Sequence, residues 1–149
     1  MNVEKVKIFL FLIITIFIFR IYAYAQDTSS VERRGLKLSL IAIASTGDSL
    51  NSSIARTFGR AEKFIIYDLK EDIFTVLKNE YAFSPSSAGV EMAWKMVEMK
   101  IAGVLTQNCG SNSMEILNSK NIKVFRNVGG TVKSAIEKFK EGKLEEINY

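Results

Sequence analysis

The sequence predicts one compact α/β domain behind a short N-terminal leader, and three observations carry that prediction. Twice in its second half the chain runs strand, glycine-bearing polar loop, helix. The first run is Ile101-Ala-Gly-Val-Leu-Thr-Gln-Asn-Cys109-Gly110-Ser-Asn112-Ser-Met-Glu115, and the second is Ile122-Lys-Val-Phe-Arg-Asn-Val-Gly129-Gly130-Thr131-Val132. Upstream, Leu38 to Ala44 is almost continuously apolar, as a central strand buried on both faces must be. A length of 149 residues leaves room for one domain with a real core.

The leader comes first. Met1 to Lys7 carries two lysines, and Ile8 to Phe19 is apolar except for Thr15. Ala23-Tyr24-Ala25 then offers a small-x-small cleavage site, so residues 1–25 read as a secretory signal peptide and the mature protein as exported, periplasmic or extracellular. The alternative is an uncleaved membrane anchor. The apolar run is shorter than the roughly 20 residues a spanning helix needs, and Arg20 interrupts its extension. Any membrane contact is expected through this segment alone. No cysteine lies near the cleavage site, which excludes a lipoprotein. Residues 26–35, polar and bearing Ser29-Ser30 and Arg33-Arg34, read as a linker, and residues 36–149 as the domain.

Within the domain, Phe64-Ile-Ile-Tyr67 and Ile73-Phe-Thr-Val-Leu77 flank the polar turn Lys70-Glu71-Asp72 and read as a hairpin. Ser86-Ser87 starts a helix on which Val90, Ala93, Trp94 and Val97 recur at helical spacing. Met92, Met96 and Met99 add a second apolar stripe. A methionine stripe suits a soft metal, but adaptable core filling is the reading adopted here. The two strand–loop–helix runs follow. Asn112 and Glu115 form a capping-box variant at the start of the first helix. Thr131 caps the second, whose core face is Val132, Ala135, Ile136 and Phe139, and Gly142 ends it. The expected order is β, β-hairpin, α, β, α, β, α, with no internal repeat.

Two parallel strands ending side by side bring two helix N-termini to one crevice, and free backbone N–H groups there suit an anion. Ser45, Thr46 and Asp48, at the end of the central strand, are expected on the same sheet edge. Arg60 reads either as an attractor of an anionic ligand or as an ion-pair partner of Glu62 or Asp68. Cys109, the only cysteine, has two readings as well. A helix N-terminus lowers a thiol pKa and favours a reactive or ligating thiolate, whereas a place after a buried strand favours inert packing. Gly129-Gly130 reads as a tight turn with a possible ligand role.

Several function classes are excluded. The net charge of +4 includes +2 from Lys5, Lys7 and Arg20 against Glu4 in the leader, and the rest forms no basic stripe, so nucleic-acid binding has no support. A chain with no histidine has neither Ser-His-Asp nor Cys-His chemistry. No carboxylate lies on the central strand to begin a Mg²⁺ cluster, and no Walker or dinucleotide-binding loop occurs. The expectation is a binding protein, not an enzyme.

The succession of loops resembles the dinitrogenase iron–molybdenum cofactor biosynthesis family from Lys37 to Leu144. The shared features are Ile41-Ala-Ile-Ala44 with its polar loop, Phe58-Gly59-Arg60-Ala61 before a strand ending in Asp68, and Ala88-Gly89-Val90 opening a helix. To these add Leu105-Thr-Gln-Asn-Cys109-Gly110 with Asn112, and Gly129-Gly130-Thr131-Val132. The resemblance implies a ribonuclease-H-like five-stranded mixed sheet with three main helices. It also implies a carrier that holds a labile iron–sulfur or iron–molybdenum-type cluster, or another small anionic ligand, at Ser45, Thr46, Asp48, Arg60, Asn108, Gly110, Gly129, Gly130 and Thr131. Cys109 would be the metal ligand and a protein partner is possible. Two positions depart from the family. Thr57 stands where relatives often have histidine, and Ser86-Ser87-Ala88-Gly89 stands where they often have His-Gly-Ala-Gly. The alternatives kept open are an exported protein-interaction or small-anion module without metal, and a redox-active thiol at Cys109.

Overall fold

The computed structural model describes residues 40–147, so the leader and linker readings lie outside the described residues. The strands are β1 (Leu40–Ser45), β2 (Lys63–Asp68), β3 (Ile73–Lys78), β4 (Gly103–Leu105) and β5 (Lys123–Phe125). Three helices, α1 (Ala88–Glu98), α2 (Ser111–Ser119) and α3 (Val132–Lys140), follow β3, β4 and β5, and a 3₁₀ turn covers Phe58–Arg60. The order of elements is the expected one. The strands form a single mixed sheet in the order β3-β2-β1-β4-β5. β2 runs antiparallel to its neighbours β1 and β3, whereas β1, β4 and β5 run parallel.

Alternation along β1 sets the two faces of the sheet. Ala42 and Ala44 face a core that includes Phe58, Phe64, Met92, Met96, Met114 and Leu117, and so lie under α1 and α2. Ile41 and Ile43 face the other core with Ile65, Leu105, Val132, Ala135 and Ile136, under α3. Small side chains thus stand where two helices crowd the sheet, and large ones where a single helix leaves space. The methionine stripe is core: Met92 and Met96 are fully buried. Trp94, expected in the core, is 46% exposed, and Lys120 Nζ lies 5.5 Å from its ring centroid. The reason is geometric. The Met92–Met96 line meets the sheet, and Trp94 projects away from it, leaving Ala93 the shared edge of the two stripes.

The ends of α3 follow the sequence closely. Thr131 Oγ1 accepts from Ser134 N at 3.2 Å. Gly142, at φ +67°, donates to Phe139 O while Lys143 N reaches Lys138 O, which closes the helix in a Schellman arrangement. Beyond it the tail returns to the sheet. Ile147 N bonds Val124 O at 2.9 Å, and Glu146 pairs with Lys123 at 2.6 Å, so the β5 edge is covered.

A polar staple joins α3 to the β2–β3 hairpin. Lys140 Nζ donates to Asp72 Oδ1 at 2.6 Å and to the Tyr67 hydroxyl at 3.0 Å, and Tyr67 donates to the same carboxylate. Lys140, then Tyr67, holds the Asp72 carboxyl below its ordinary value of 3.8. The unfolded chain therefore binds the extra proton first. The staple stabilises the fold above about pH 3.8, and its contribution is lost as the pH falls through the lower folded value. Urea midpoints of the native chain and of Asp72→Asn should differ near neutral pH and converge in acid. A difference that persists in acid would show that the carboxylate charge is not what the staple uses.

Candidate functional site

Parallel β1 and β4 place the loops after Ser45 and Leu105 on one edge of the sheet, and three chain segments meet there. Phe58 N donates to Asn108 O at 2.8 Å, which pins the 3₁₀ turn beside the loop leaving β4. Gly59 lies directly against the start of α1: a Cβ added to it would sit 2.5 Å from the Cα and N of Gly89. A Cβ on Gly89 would in turn collide with Ser113 Oγ at the start of α2. These contacts draw the first turns of α1 and α2 around a cavity of 290 Å³ lined by Thr57, Gly59 and Arg60 together with Ser87–Val90 and Gly110–Ser113.

The donors at this cavity are uncapped. The first bonds of the two helices are Glu91 N to Ser87 O and Met114 N to Gly110 O, and neither Ser87 nor Gly110 supplies a side-chain cap. The N–H groups ahead of Glu91 and Met114 are the orphan donors that every helix start leaves. The expected capping box is absent because α2 begins earlier than its pattern implied. Asn112 lies inside the first turn, and its Oδ1 is 3.5 Å from Ser111 Oγ.

Arg60 lines this cavity and a second one of 220 Å³ that it shares with Ser45, Thr46, Arg56, Thr57 and Glu62. Its Nη1 donates to the carbonyls of Ala82 (3.0 Å) and Ser84 (2.5 Å), not to Glu62 or Asp68. The guanidinium is thus fixed at the rim with other donors in hand. Ser45 is fully buried and bonded to Gly47 O at 2.8 Å, while Thr46 Oγ1 bonds Ser53 O at 3.2 Å. Asp48 is exposed and paired with Lys63 at 3.1 Å, which keeps its carboxyl below the usual range.

Gly129, Gly130 and Thr131 stand apart from this crevice. α3 packs on the opposite face, and its first-turn donors are already used: Val132 N bonds Ser52 O at 2.9 Å, Lys133 N bonds Leu50 O at 2.8 Å, and Ser134 N bonds Thr131. Gly130 O accepts from Ile54 N at 2.9 Å, and its φ of +89° gives the glycine a conformational reason. Two helix starts do converge, as the sequence implied, but they are those of α1 and α2. The Ser86-Ser87-Ala88-Gly89 stretch carried that signal as a helix start.

Cys109 is 7% exposed and belongs to the α1/α2 core with Phe58 and Met114. Burial pushes its thiol from an ordinary 9.0 up to about 12, and the nearby Arg126 charge only partly opposes this. The packing environment outweighs the helix terminus, against the low thiol pKa that redox chemistry would need. Arg126 itself escaped the sequence reading. Its Nη2 donates to Asn108 Oδ1 at 3.1 Å, and its Nε is buried without a partner. The signal was the parallel pairing of Leu105 with Phe125, which sets the residue after β5 beside the loop leaving β4. Among the described residues no group of three or more His, Cys, Asp or Glu side chains is placed to hold a metal ion.

The five-stranded mixed sheet with its three helices defines an α/β domain, and one edge of that sheet carries two uncapped helix starts and a fixed arginine. The family is specific: residues 39–142 match the model described as dinitrogenase iron-molybdenum cofactor, and the chain belongs to that family. A NifB-like protein from Thermotoga, solved by NMR, is similar at 37% identity over 73% of this chain and 93% of that one, with a TM-score of 0.65. The apo form of the orange protein from Desulfovibrio gigas shares the fold at a TM-score of 0.71 and 23% identity, over 74% and 93% of the two chains. A dinitrogenase-like protein from Methanocaldococcus jannaschii shares it at 0.53 and 18%, over 74% and 97%. Among curated proteins none matches the chain.

Two measurements probe this geometry. Gly59→Ala forces backbone against backbone and should cost about 1–3 kcal/mol of stability by denaturant titration, as overpacking does; a neutral result would mean the two segments separate freely. The Cys109 thiolate population of the folded chain should be roughly a thousandfold below that of an ordinary thiol, since about 12 and 9.0 differ by three powers of ten. Modification by a thiol reagent should therefore be slowed by that order relative to the unfolded chain. Rates within tenfold of each other would show an accessible thiol.

Proposed function

We propose that this domain is a non-catalytic carrier that holds an anionic metallocluster, or another small anion, in the crevice between the first turns of α1 and α2. The single observation behind it is the pair of uncapped helix starts facing one cavity beside Arg60. Donors of this kind recognise negative charge with no need for a particular side chain. The family supports a cargo related to the iron–molybdenum cofactor. In this reading the scaffold is ribonuclease-H-like, and the cluster is cargo held by N–H groups and guanidinium. Cys109 is a ligand only after its thiol loses a proton and leaves the core, which couples any metal–sulfur bond to pH and to local opening. The leader supports export, and delivery of the cargo implies a protein partner.

A second reading, a module for small anions without metal, is favoured by the lack of histidine and of any clustered ligand set among the described residues. One experiment separates the two. Anaerobic reconstitution with iron, sulfide and molybdate should give cluster absorbance that survives in Cys109→Ser. A featureless spectrum with thermal stabilisation by molybdate alone would favour the second reading. Gly110→Asp tests the crevice in both cases. A Cβ at Gly110 meets nothing within 4 Å. The new carboxylate should cap α2 and stabilise the fold by a few tenths of a kcal/mol, while occupying the donors and weakening anion binding. Unchanged binding in that variant would move the site elsewhere.

A further inference from the structure

We propose that the β3 edge of the sheet, unpaired among the described residues, is a self-association surface, on which two copies of this chain pair antiparallel about a two-fold axis at Thr75. The two edges of the sheet are treated differently. The chain's own tail covers β5 through Ile147 and Glu146. Among the described residues β3 pairs only with β2, in unbroken register from Ile73 to Lys78, so no bulge twists the edge away. It has no proline, and its only charge is the terminal Lys78. Ile73, Phe74 and Val76 are 60%, 39% and 43% exposed. Natural edges are usually blunted by the devices missing here, and a second copy would supply the cover.

The sequence around the strand selects the occupant and the register. Residues directly opposite in an antiparallel pair both point their N–H and C=O groups toward each other or both away. Along one regular strand those directions alternate, so a two-fold axis must pass through a residue and not between two. With the axis at Thr75, Ile73 meets Leu77 and Phe74 meets Val76 of the second copy, an aromatic–branched pair of the kind that stabilises sheets. Asp72, the left-handed turn residue just ahead of the strand (φ +59°), then stands at the same end of the ladder as Lys78 of the second copy. Its Oδ1 is spent on Lys140 and Tyr67, and Oδ2 has no partner among the described residues. Moving the axis to Phe74 shortens the ladder to Ile73–Thr75, and moving it to Val76 sets Phe74 against Lys78. Only the Thr75 register pairs Phe74 with Val76 and leaves no charge against an apolar side chain. Phe74 and Val76 pair with Tyr67 and Ile65, so the strip continued into the second copy is the α3-side apolar face.

Sedimentation velocity on the full-length chain across a concentration series should show a monomer–dimer equilibrium. Val76→Lys should weaken it roughly tenfold, because each of two symmetric cross-strand contacts is replaced by a buried charge against Phe74, with an unchanged melting temperature at the dilute end of the series where both chains are monomeric. In a Cys109→Ser background, Thr75→Cys should form a disulfide-linked dimer under mild oxidation. Val76→Cys should not, since in this register its two copies lie beyond the roughly 7 Å that a disulfide spans. A chain that stays monomeric, a dimer indifferent to Val76→Lys, or equal cross-linking at both positions would overturn the proposal. In the monomeric case the edge is left to a different protein.

Discussion

Strand β1 is bonded along both edges and buried on both faces, and that double confinement dictates most of what surrounds it. The antiparallel neighbour on one side, β2, arrives after the long connection that carries the 3₁₀ turn, and β3 then follows it as a hairpin. A parallel neighbour on the other side needs a crossover long enough to carry a helix. The chain supplies both, with β2 and β3 on one flank and β4 and β5 on the other. Helices must then cover both faces, because a strand with no polar side chain before Ser45 leaves no face for water. The alanines and isoleucines of β1 divide the load unequally, and α1 with α2 sinks toward the sheet on the alanine side. The parallel flank also fixes where function can sit, since β1 and β4 deliver their loops to the same edge.

What separates the three helix starts is the accounting of backbone donors. α3 begins against the loop of residues 50–54, whose carbonyls take its first amides, and Thr131 takes another. This start is structural. α1 and α2 begin against each other through the close approach of Gly59 and Gly89. Their cap positions are Ser87, held left-handed at φ +62° with no side-chain bond to the helix, and Gly110, which has no side chain. Stability is given up at those caps.

The parts of this fold that could be read in the sequence are those fixed by periodicity and turn chemistry. The hairpin around Lys70-Glu71-Asp72, the Thr131 cap and the Gly142 stop are local, and each appears where its residues placed it. Ambiguity entered where two apolar stripes share one helix. Nothing local tells Met92 and Met96 from Trp94 as the inward line, and only the position of the sheet decides. The site was half legible for a related reason. A glycine-rich strand–loop–helix run announces a helix start but not whether another loop has already bonded its amides. That knowledge is non-local, since it depends on residues 50–54 reaching Gly130 and Val132. Arg126 was invisible on the same ground.

Cys109 and Arg126 show how the fold weighs packing against charge beside the loop that leaves β4. A thiolate at the edge of a buried core needs a strong positive neighbour, and among the described residues Arg126 is the one that acts on Cys109. Arg126 is instead committed to Asn108, and its pull is smaller than the desolvation that raises the thiol. The same arginine bond stiffens the loop from which α2 starts, holding Asn108, and with it the 3₁₀ turn, in place. Charge near the sheet edge thus serves the geometry of the amides before it serves the sulfur. The amides at the starts of α1 and α2 are therefore reached without rearrangement, whereas the Cys109 sulfur is reached only by opening the core.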